Sequence, residues 1–115
     1  MEKTIKKIAL NNLKQFLTLN QNKKYITIFY ATWCPFCINN VPLIAKTIVQ
    51  NKIENAIFVD ISDPKLDVWK EDNNIDWAIE IVPTIRVYFQ NQVIYEHTNV
   101  IGEAELNKII NNIIC

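Results

Sequence analysis

The chain opens with apolar residues at helical spacing and then changes to a continuous apolar run. Ile5, Ala9 and Leu13 recur every four residues, which predicts an amphipathic helix of about fifteen residues. The polar cluster at 20–24 ends this helix. Residues 25–31 are β-branched or aromatic with little polar alternation, which is typical of a strand covered on both faces.

The middle of the chain continues the alternation of strand and helix. A helix is predicted over 35–51, and Pro42 inside it should kink rather than end it, because proline removes one backbone hydrogen bond. The apolar residues at 56–60 predict a short buried strand. A strand, a crossover helix and a second strand imply parallel pairing with a right-handed connection. Asp63 and Pro64 then suit the cap and first position of a third helix.

The last third of the chain predicts a hairpin and a final helix. Residues 84–89 and 93–95 read as two strands, joined by a tight turn near Gln90 and Asn91, since Asn tolerates the left-handed conformation such a turn needs. A helix is predicted over 104–114. Its predicted inward residues are Leu106, Ile109, Ile110 and Ile113.

The order of elements predicts an α/β fold in one domain spanning 1–115. A mixed four-stranded sheet, with room for a fifth strand at one edge and with helices on both faces, satisfies this order. The strands at 25–31 and 84–89 should be its central, neighbouring pair.

Composition narrows the function classes. The 12 basic and 12 acidic residues balance, which argues against a nucleic-acid partner, because phosphate binding needs a basic surplus. No apolar run approaches the ~18 residues of a membrane span, and the lysine-containing N-terminus lacks the features of a signal peptide. Three cysteines are too few for a disulfide-stapled secreted fold. We therefore expect a cytoplasmic monomer without a membrane partner.

The candidate chemistry lies in the segment WCPFC, which directly follows the 25–31 strand. The start of a helix leaves backbone N–H groups unpaired and carries partial positive charge, which favours the reactive thiolate. Pro35 suits the first helical position. We therefore predict Cys34 as an exposed nucleophile and Cys37, one turn on, as the resolving thiol that closes a disulfide with it. A Cys-x-x-Cys pair in a βαβ pattern is typical of redox activity.

Zinc binding is the alternative use of such a pair. A structural zinc site needs four nitrogen or sulfur ligands, and beyond the pair the chain offers only His97 and Cys115. Neither stands at a paired spacing. We expect neither a metal nor a cofactor.

Three further features accompany the cysteine pair. An aromatic-aromatic-Ala run precedes the motif, a proline follows five residues after the second cysteine, and a Val-Pro-Thr segment opens a later strand. With these features the chain resembles the thioredoxin superfamily over nearly its whole length. The matching positions are Phe29-Tyr30-Ala31, Trp33, Cys34, Cys37, Pro42 and Val82-Pro83-Thr84.

The resemblance implies a cis Val82–Pro83 bond packed beside Cys34, although proline at the start of a strand is ordinarily trans. It also implies that the Val82 backbone pairs with an extended substrate chain. Around this groove we expect substrate contacts from Trp33, Pro35, Phe36 and Trp77. The alternatives are core packing for Trp33 and Trp77, and a helix-start residue without a partner for Phe36.

The chain departs inside the site from the proteins that it resembles. Thioredoxins carry Gly-Pro between the cysteines, whereas Pro35-Phe36 is closer to the Pro-Tyr of glutaredoxins. The buried Asp and the Lys that thioredoxins place in adjacent strands correspond to Ile28 and Phe58. Cys37 therefore has no side-chain base that the sequence identifies, and water or a substrate group would have to serve.

A glutathione site of the usual glutaredoxin type is not evident. Glutaredoxins bind glutathione with a Lys before the motif and a Gly-Gly-x-Asp after the cis-proline strands. Here Ala31 and Thr32 offer no lysine, and the only glycine is Gly102.

We expect a thiol–disulfide oxidoreductase that acts on protein disulfides and receives electrons from a thioredoxin-reductase-type donor or from glutathione. Two alternatives remain open. One is a glutaredoxin-like, monothiol or glutathione-linked reductase. The other is a thioredoxin-fold binding module without redox turnover.

Overall fold

The structure, a computed structural model, describes residues 6–7, 10–62, 79 and 81–114. The described helices and strands follow the predicted order, with one additional strand at the start. They are β1 (Lys6–Lys7), α1 (Leu10–Leu19), β2 (Tyr25–Tyr30), α2 (Pro35–Gln50), β3 (Ala56–Asp60), β4 (Thr84–Phe89), β5 (Gln92–Thr98), α3 (Glu103–Ile109) and a final π-helical turn (Ile110–Ile114).

The strands form one mixed sheet in the order β1-β3-β2-β4-β5. Strand β3 pairs in parallel with both β1 and β2, while β4 pairs antiparallel with β2 and β5. The predicted mixed sheet with β2 and β4 as central neighbours is therefore confirmed. The fifth edge strand is β1.

The first helix begins later than predicted. Lys6 and Lys7 belong to β1 and lie opposite Ile57 and Phe58 of β3, and α1 starts at Leu10. Pairing with an open sheet edge satisfies the backbone groups of this segment and overrides its helical spacing. The third helix predicted from Asp63 lies outside the described residues.

The structure confirms the predicted hairpin turn and refines the bounds of β5 and of the last helix. Gln90 and Asn91 both have positive φ, at 53° and 64°, so the turn lies where it was predicted. Strand β5 is longer than predicted and runs over Gln92–Thr98. The last helix ends as an α-helix at Ile109, and the chain continues in the π-helical turn.

The sheet separates two apolar cores because successive side chains of a strand point to opposite faces. On one face, Tyr25 and Phe29 of β2 pack with Leu13 and Leu17 of α1. On the other face, Ile26 and Ile28 pack with a second set of buried residues from α2, α3 and the π-helical turn. Those residues are Ile44, Ile48, Leu106, Ile109 and Ile110.

A buried side chain fastens α2 to the segment before α3. The Asn40 Nδ2 group donates to the Ile101 carbonyl oxygen at 2.8 Å, and the Ile101 N–H donates to Asn40 Oδ1 at 2.9 Å. One amide side chain thus satisfies both polar groups of a buried peptide residue. Asn40 lies one turn after Cys37, so this contact fixes the helix start that carries the cysteine pair.

None of the helices within the described residues is both long and apolar enough to span a bilayer.

Candidate active site

The cysteine pair lies at the start of α2. Cys34 is the N-cap residue and Pro35 occupies the first turn. The Cys34 carbonyl oxygen accepts hydrogen bonds from the N–H groups of Cys37, at 3.0 Å, and Ile38, at 3.2 Å. The predicted placement of both cysteines at a helix N-terminus is confirmed. The positive end of the helix dipole therefore lies at Cys34.

A segment distant in sequence meets this helix start. The Val82–Pro83 peptide bond is cis, and Pro83 directly precedes β4. The Cys34 thiol donates a hydrogen bond to the Val82 carbonyl oxygen, with sulfur and oxygen 3.5 Å apart. A backbone hydrogen bond just after β5 also holds the Val82–Pro83 segment, because the Asn99 N–H donates to the Pro83 carbonyl oxygen at 2.8 Å. The two segments that the sequence singled out thus form one site.

The prediction that Cys34 is exposed was wrong. Only 4% of the residue is exposed, and Cys37 is similarly buried at 3%. Cys34 belongs to the same buried cluster as Ala31, Ile79 and Val82. The sequence places Cys34 correctly at the helix start, but the fold of the Val82 segment onto its sulfur depends on tertiary packing.

Burial acts on the second cysteine as well. Desolvation, opposed in part by a hydrogen bond with the Ala31 backbone, raises the pKa of the Cys37 thiol from 9.0 to about 11. A hydrogen bond with the Cys34 side chain and the charges of Cys34 and Asp60 act in the same upward direction. Cys37 is therefore a protonated thiol at neutral pH, as expected of a resolving residue that reacts only after the first cysteine.

Large apolar side chains surround the buried sulfur at the surface. Trp33 and Phe36, which the sequence proposed as substrate contacts, are 58% and 61% exposed. Ile38 and Ile81, which sequence reasoning missed, are 63% and 47% exposed. We call these four side chains the apolar rim. Such a concentration of exposed apolar surface around one site is characteristic of an interaction surface.

The other residues predicted to contact substrate lie partly at the surface, partly in the interior and partly outside the described residues. Pro35 is exposed beside the apolar rim, whereas Pro83 and Val82 are buried. Trp77 lies outside the described residues. Within the described ranges, no cluster of three or more His, Cys, Asp or Glu side chains is arranged to hold a metal ion.

A cavity beside Cys37, lined mostly by apolar surface, was not predicted. It measures about 260 Å³ and is lined by residues that include Tyr30, Thr32, Cys37 and Pro42. Asp60, to which the sequence gave no role, lies opposite Tyr30 in the parallel β2–β3 ladder. Parallel register offered a signal for this proximity, since it brings the carboxyl ends of both strands to the edge where α2 begins.

Comparison with known proteins agrees with this geometry. Residues 4–114 match the family model of thioredoxin. The chain belongs to the thioredoxin family. Together with the adjacent cysteine pair, this membership supports thiol–disulfide oxidoreductase chemistry in general.

Solved thioredoxin structures share the fold. Thioredoxin f2 of Chlamydomonas reinhardtii superimposes with a TM-score of 0.76 at 15% identity, covering 96% of this chain and 98% of that one. The reduced thioredoxin of Schistosoma mansoni gives a TM-score of 0.72 at 20% identity, with the same coverage. The thioredoxin of Fasciola hepatica gives 0.72 at 15% identity, covering 92% and 96%.

A curated relative of this thioredoxin-family chain is longer. Protein disulfide isomerase-like 1-3 of Oryza sativa subsp. japonica is 26% identical over 87 residues, which are 76% of this chain. The match spans 15% of that protein's length.

Proposed function

We propose that this thioredoxin-family chain catalyses thiol–disulfide exchange on protein disulfides, with Cys34 as nucleophile and Cys37 as resolving thiol. The supporting observation is the Cys34 sulfur at the N-terminus of α2, hydrogen-bonded to the Val82 carbonyl beside the cis peptide bond. Helix N-termini favour thiolates, and the Val82 carbonyl, once the thiol has left it, suits pairing with an extended chain.

The reaction begins with release of the Cys34 sulfur from Val82. The Cys34 thiol loses its proton to solvent, and the thiolate attacks one sulfur of the substrate disulfide, so that a mixed disulfide forms and the other substrate sulfur leaves as a thiolate. The vacated Val82 oxygen then accepts a hydrogen bond from a substrate N–H. The apolar rim buries apolar side chains on either side of the substrate cysteine.

Resolution completes the exchange. Cys37 loses its proton and attacks the Cys34 sulfur, the bond between Cys34 and the substrate breaks, and the second substrate thiolate leaves. The substrate disulfide has gained two electrons and the Cys34–Cys37 pair has become a disulfide. A thioredoxin-reductase-type enzyme or glutathione returns two electrons to the pair in each cycle. We further propose that the chain acts as a cytoplasmic monomer, without nucleic acid, membrane, metal or cofactor.

Insulin reduction with dithiothreitol as electron donor tests the proposal. Wild-type protein should accelerate reduction, Cys34→Ser should abolish the acceleration, and Cys37→Ser should accumulate mixed disulfides. A Cys115→Ser variant serves as the matched control and should keep the wild-type rate. Full turnover of Cys37→Ser with glutathione would instead support a monothiol, glutaredoxin-like reductase.

A binding module without redox turnover is the second candidate, and the burial of Cys34 favours it. With 4% of the residue exposed, a sulfur that never leaves Val82 cannot reach a substrate. No acceleration of insulin reduction over dithiothreitol alone would support this candidate and exclude the reductase.

A further inference from the structure

The resolving step needs a proton acceptor near Cys37. Only the thiolate attacks a disulfide, and the buried Cys37 thiol holds its proton at neutral pH because its pKa is raised to about 11. Ile28 of β2 and Phe58 of β3 correspond to the buried Asp and the Lys of thioredoxins. Both side chains are buried and apolar, so neither can accept a proton. The acceptor must therefore lie elsewhere around the helix start.

The register of the sheet brings the Asp60 carboxylate to the edge where α2 begins. Tyr30 ends β2, Asp60 ends β3, and the two lie opposite each other in the parallel ladder. Asp60 is half-buried, and its charge acts on both the Tyr30 phenol and the Cys37 thiol. Within the described residues, the titratable groups that face Cys37 are Cys34 at the start of α2, Tyr30 of β2 and Asp60 of β3.

Hydrogen bonds hold the carboxylate in position. Asp60 Oδ1 accepts a hydrogen bond from the Ser62 N–H at 2.9 Å and a second one from the Ser62 hydroxyl. The Ser62 hydroxyl also lies 3.1 Å from the Thr32 hydroxyl, and Thr32 is two residues before Cys34. The carboxylate is thus tied through Ser62 to the segment that leads into the cysteine pair.

The cavity beside Cys37 supplies the path for the proton. Its volume of about 260 Å³, with Tyr30, Thr32 and Cys37 among its lining residues, has room for several waters at ~30 Å³ each. Asp60 itself does not line the cavity. Two lining residues connect to it: Tyr30 lies opposite Asp60 in the sheet, and Thr32 lies 3.1 Å from the Ser62 hydroxyl that donates to Asp60. Water chains transfer protons between groups that do not touch.

We propose that Asp60, positioned by Ser62, receives the Cys37 proton through water in this cavity when the mixed disulfide is resolved. In this step the Cys37 S–H bond breaks, its proton passes through water to the Asp60 carboxylate, and its electron pair forms the Cys34–Cys37 bond. The bond between Cys34 and the substrate breaks, the substrate sulfur leaves as a thiolate, and Asp60 later returns the proton to solvent. The proposal rests on the proposed function.

The alternative role of Asp60 has the opposite sign. As a fixed negative charge alone, Asp60 disfavours the Cys37 thiolate, so its removal should speed resolution. As a proton acceptor, its removal should slow resolution. Asp60→Asn separates the two roles, because the amide keeps an oxygen for the hydrogen bonds from Ser62 but loses the charge and the basicity.

A single-turnover reaction of the reduced protein with dithiobis-nitrobenzoate reads the two steps separately. The first coloured thiolate reports attack by Cys34, and the second reports resolution by Cys37. All variants carry Cys115→Ser, so that only this pair reacts.

General bases typically contribute about 10²–10⁴-fold, so we expect Asp60→Asn to slow the second phase at neutral pH by about tenfold or more, with the first phase nearly unchanged. The second phase of the variant should rise with pH more steeply than in wild type, because hydroxide must then remove the Cys37 proton.

Ser62→Ala is the matched control, since it removes the hydroxyl that positions Asp60 but keeps the carboxylate. Ser62→Ala keeps the hydrogen bond from the Ser62 N–H and the titratable carboxylate, so its second phase should slow, but less than that of Asp60→Asn. An Asp60→Asn second phase that is unchanged or faster would overturn the proposal, as would equal slowing in both variants. A wild-type first phase no faster than that of Cys34→Ser would overturn the proposed function instead.

Discussion

The Cys34 thiol donates its hydrogen bond to the carbonyl oxygen of Val82, 48 residues further along the chain, at a sulfur–oxygen distance of 3.5 Å. This contact joins the helix start to the cis Val82–Pro83 segment and covers the sulfur that should react first. The same oxygen is the group that an extended substrate would use. Under the proposed function, release of the thiol and docking of a substrate are therefore coupled at this oxygen.

The different surroundings of the two thiols predict selective alkylation. Both cysteines are buried. Cys34 lies at the helix N-terminus under the Val82 segment, whereas the Cys37 thiol has a pKa raised to about 11. At neutral pH we expect iodoacetamide to modify Cys34 at least about tenfold faster than Cys37, because the thiolate is the reactive form. Mass spectrometry of the digested protein measures both rates. Equal modification of the two cysteines would contradict this order.

The sequence predicted the elements whose signals are local. The unbroken apolar run became β2, Pro35 marked the start of α2, and Asn91 marked the hairpin turn. Each of these features depends on a few neighbouring residues. The two-residue strand β1 escaped prediction because its conformation comes from pairing with β3, which no periodicity within so short a segment can reveal.

Within the site, the sequence identified the reactive sulfurs but not their environment. The resemblance placed Cys34 beside Val82, yet the depth of burial depends on how closely the loop packs onto the helix start. Asp60 escaped attention because its proximity to Cys37 arises from the Tyr30–Asp60 register. A residue at the end of a strand gains such a role only through its neighbours in the sheet.

The contact between Asn40 and Ile101 should contribute measurably to stability. Asn40→Ala removes two hydrogen bonds and leaves the buried N–H and carbonyl of Ile101 without these partners. Leaving buried polar groups unsatisfied costs about 1–3 kcal/mol, so we expect the free energy of unfolding in urea to fall by roughly this amount. Asn39→Ala, at an exposed position of the same helix, is the control and should change stability little. Equal losses from both variants would show that the helix, rather than this contact, is responsible.

The raised pKa of Cys37 predicts a pH-dependent loss of stability. Burial raises this pKa from 9.0 to about 11 in the folded protein, so the folded state holds the thiol proton more tightly than the unfolded state. The resulting contribution to the free energy of unfolding is complete below pH 9 and is lost as the pH rises toward 11. Reduced wild type should therefore lose stability across this range relative to Cys37→Ala. The oxidised protein, in which Cys37 has no thiol to titrate, should not show the loss. A constant difference between reduced wild type and Cys37→Ala would contradict the prediction.

The apolar rim should matter for protein substrates and not for small disulfides. Phe36 is 61% exposed beside the cysteine pair, and full burial of such a side chain contributes roughly 1.5–3 kcal/mol. If a docked protein covers part of it, Phe36→Ser should raise the KM for insulin by about three- to tenfold. Leu19→Ser is the matched control, because Leu19 is 76% exposed at the end of α1, outside the rim, and it should leave the KM unchanged.

Steady-state insulin reduction measures the KM of both variants. Dithiobis-nitrobenzoate is too small to cover the rim, so it should react with both variants at the wild-type rate. An equal effect of Phe36→Ser on the small disulfide would mean that the side chain acts on the cysteines rather than on the partner surface.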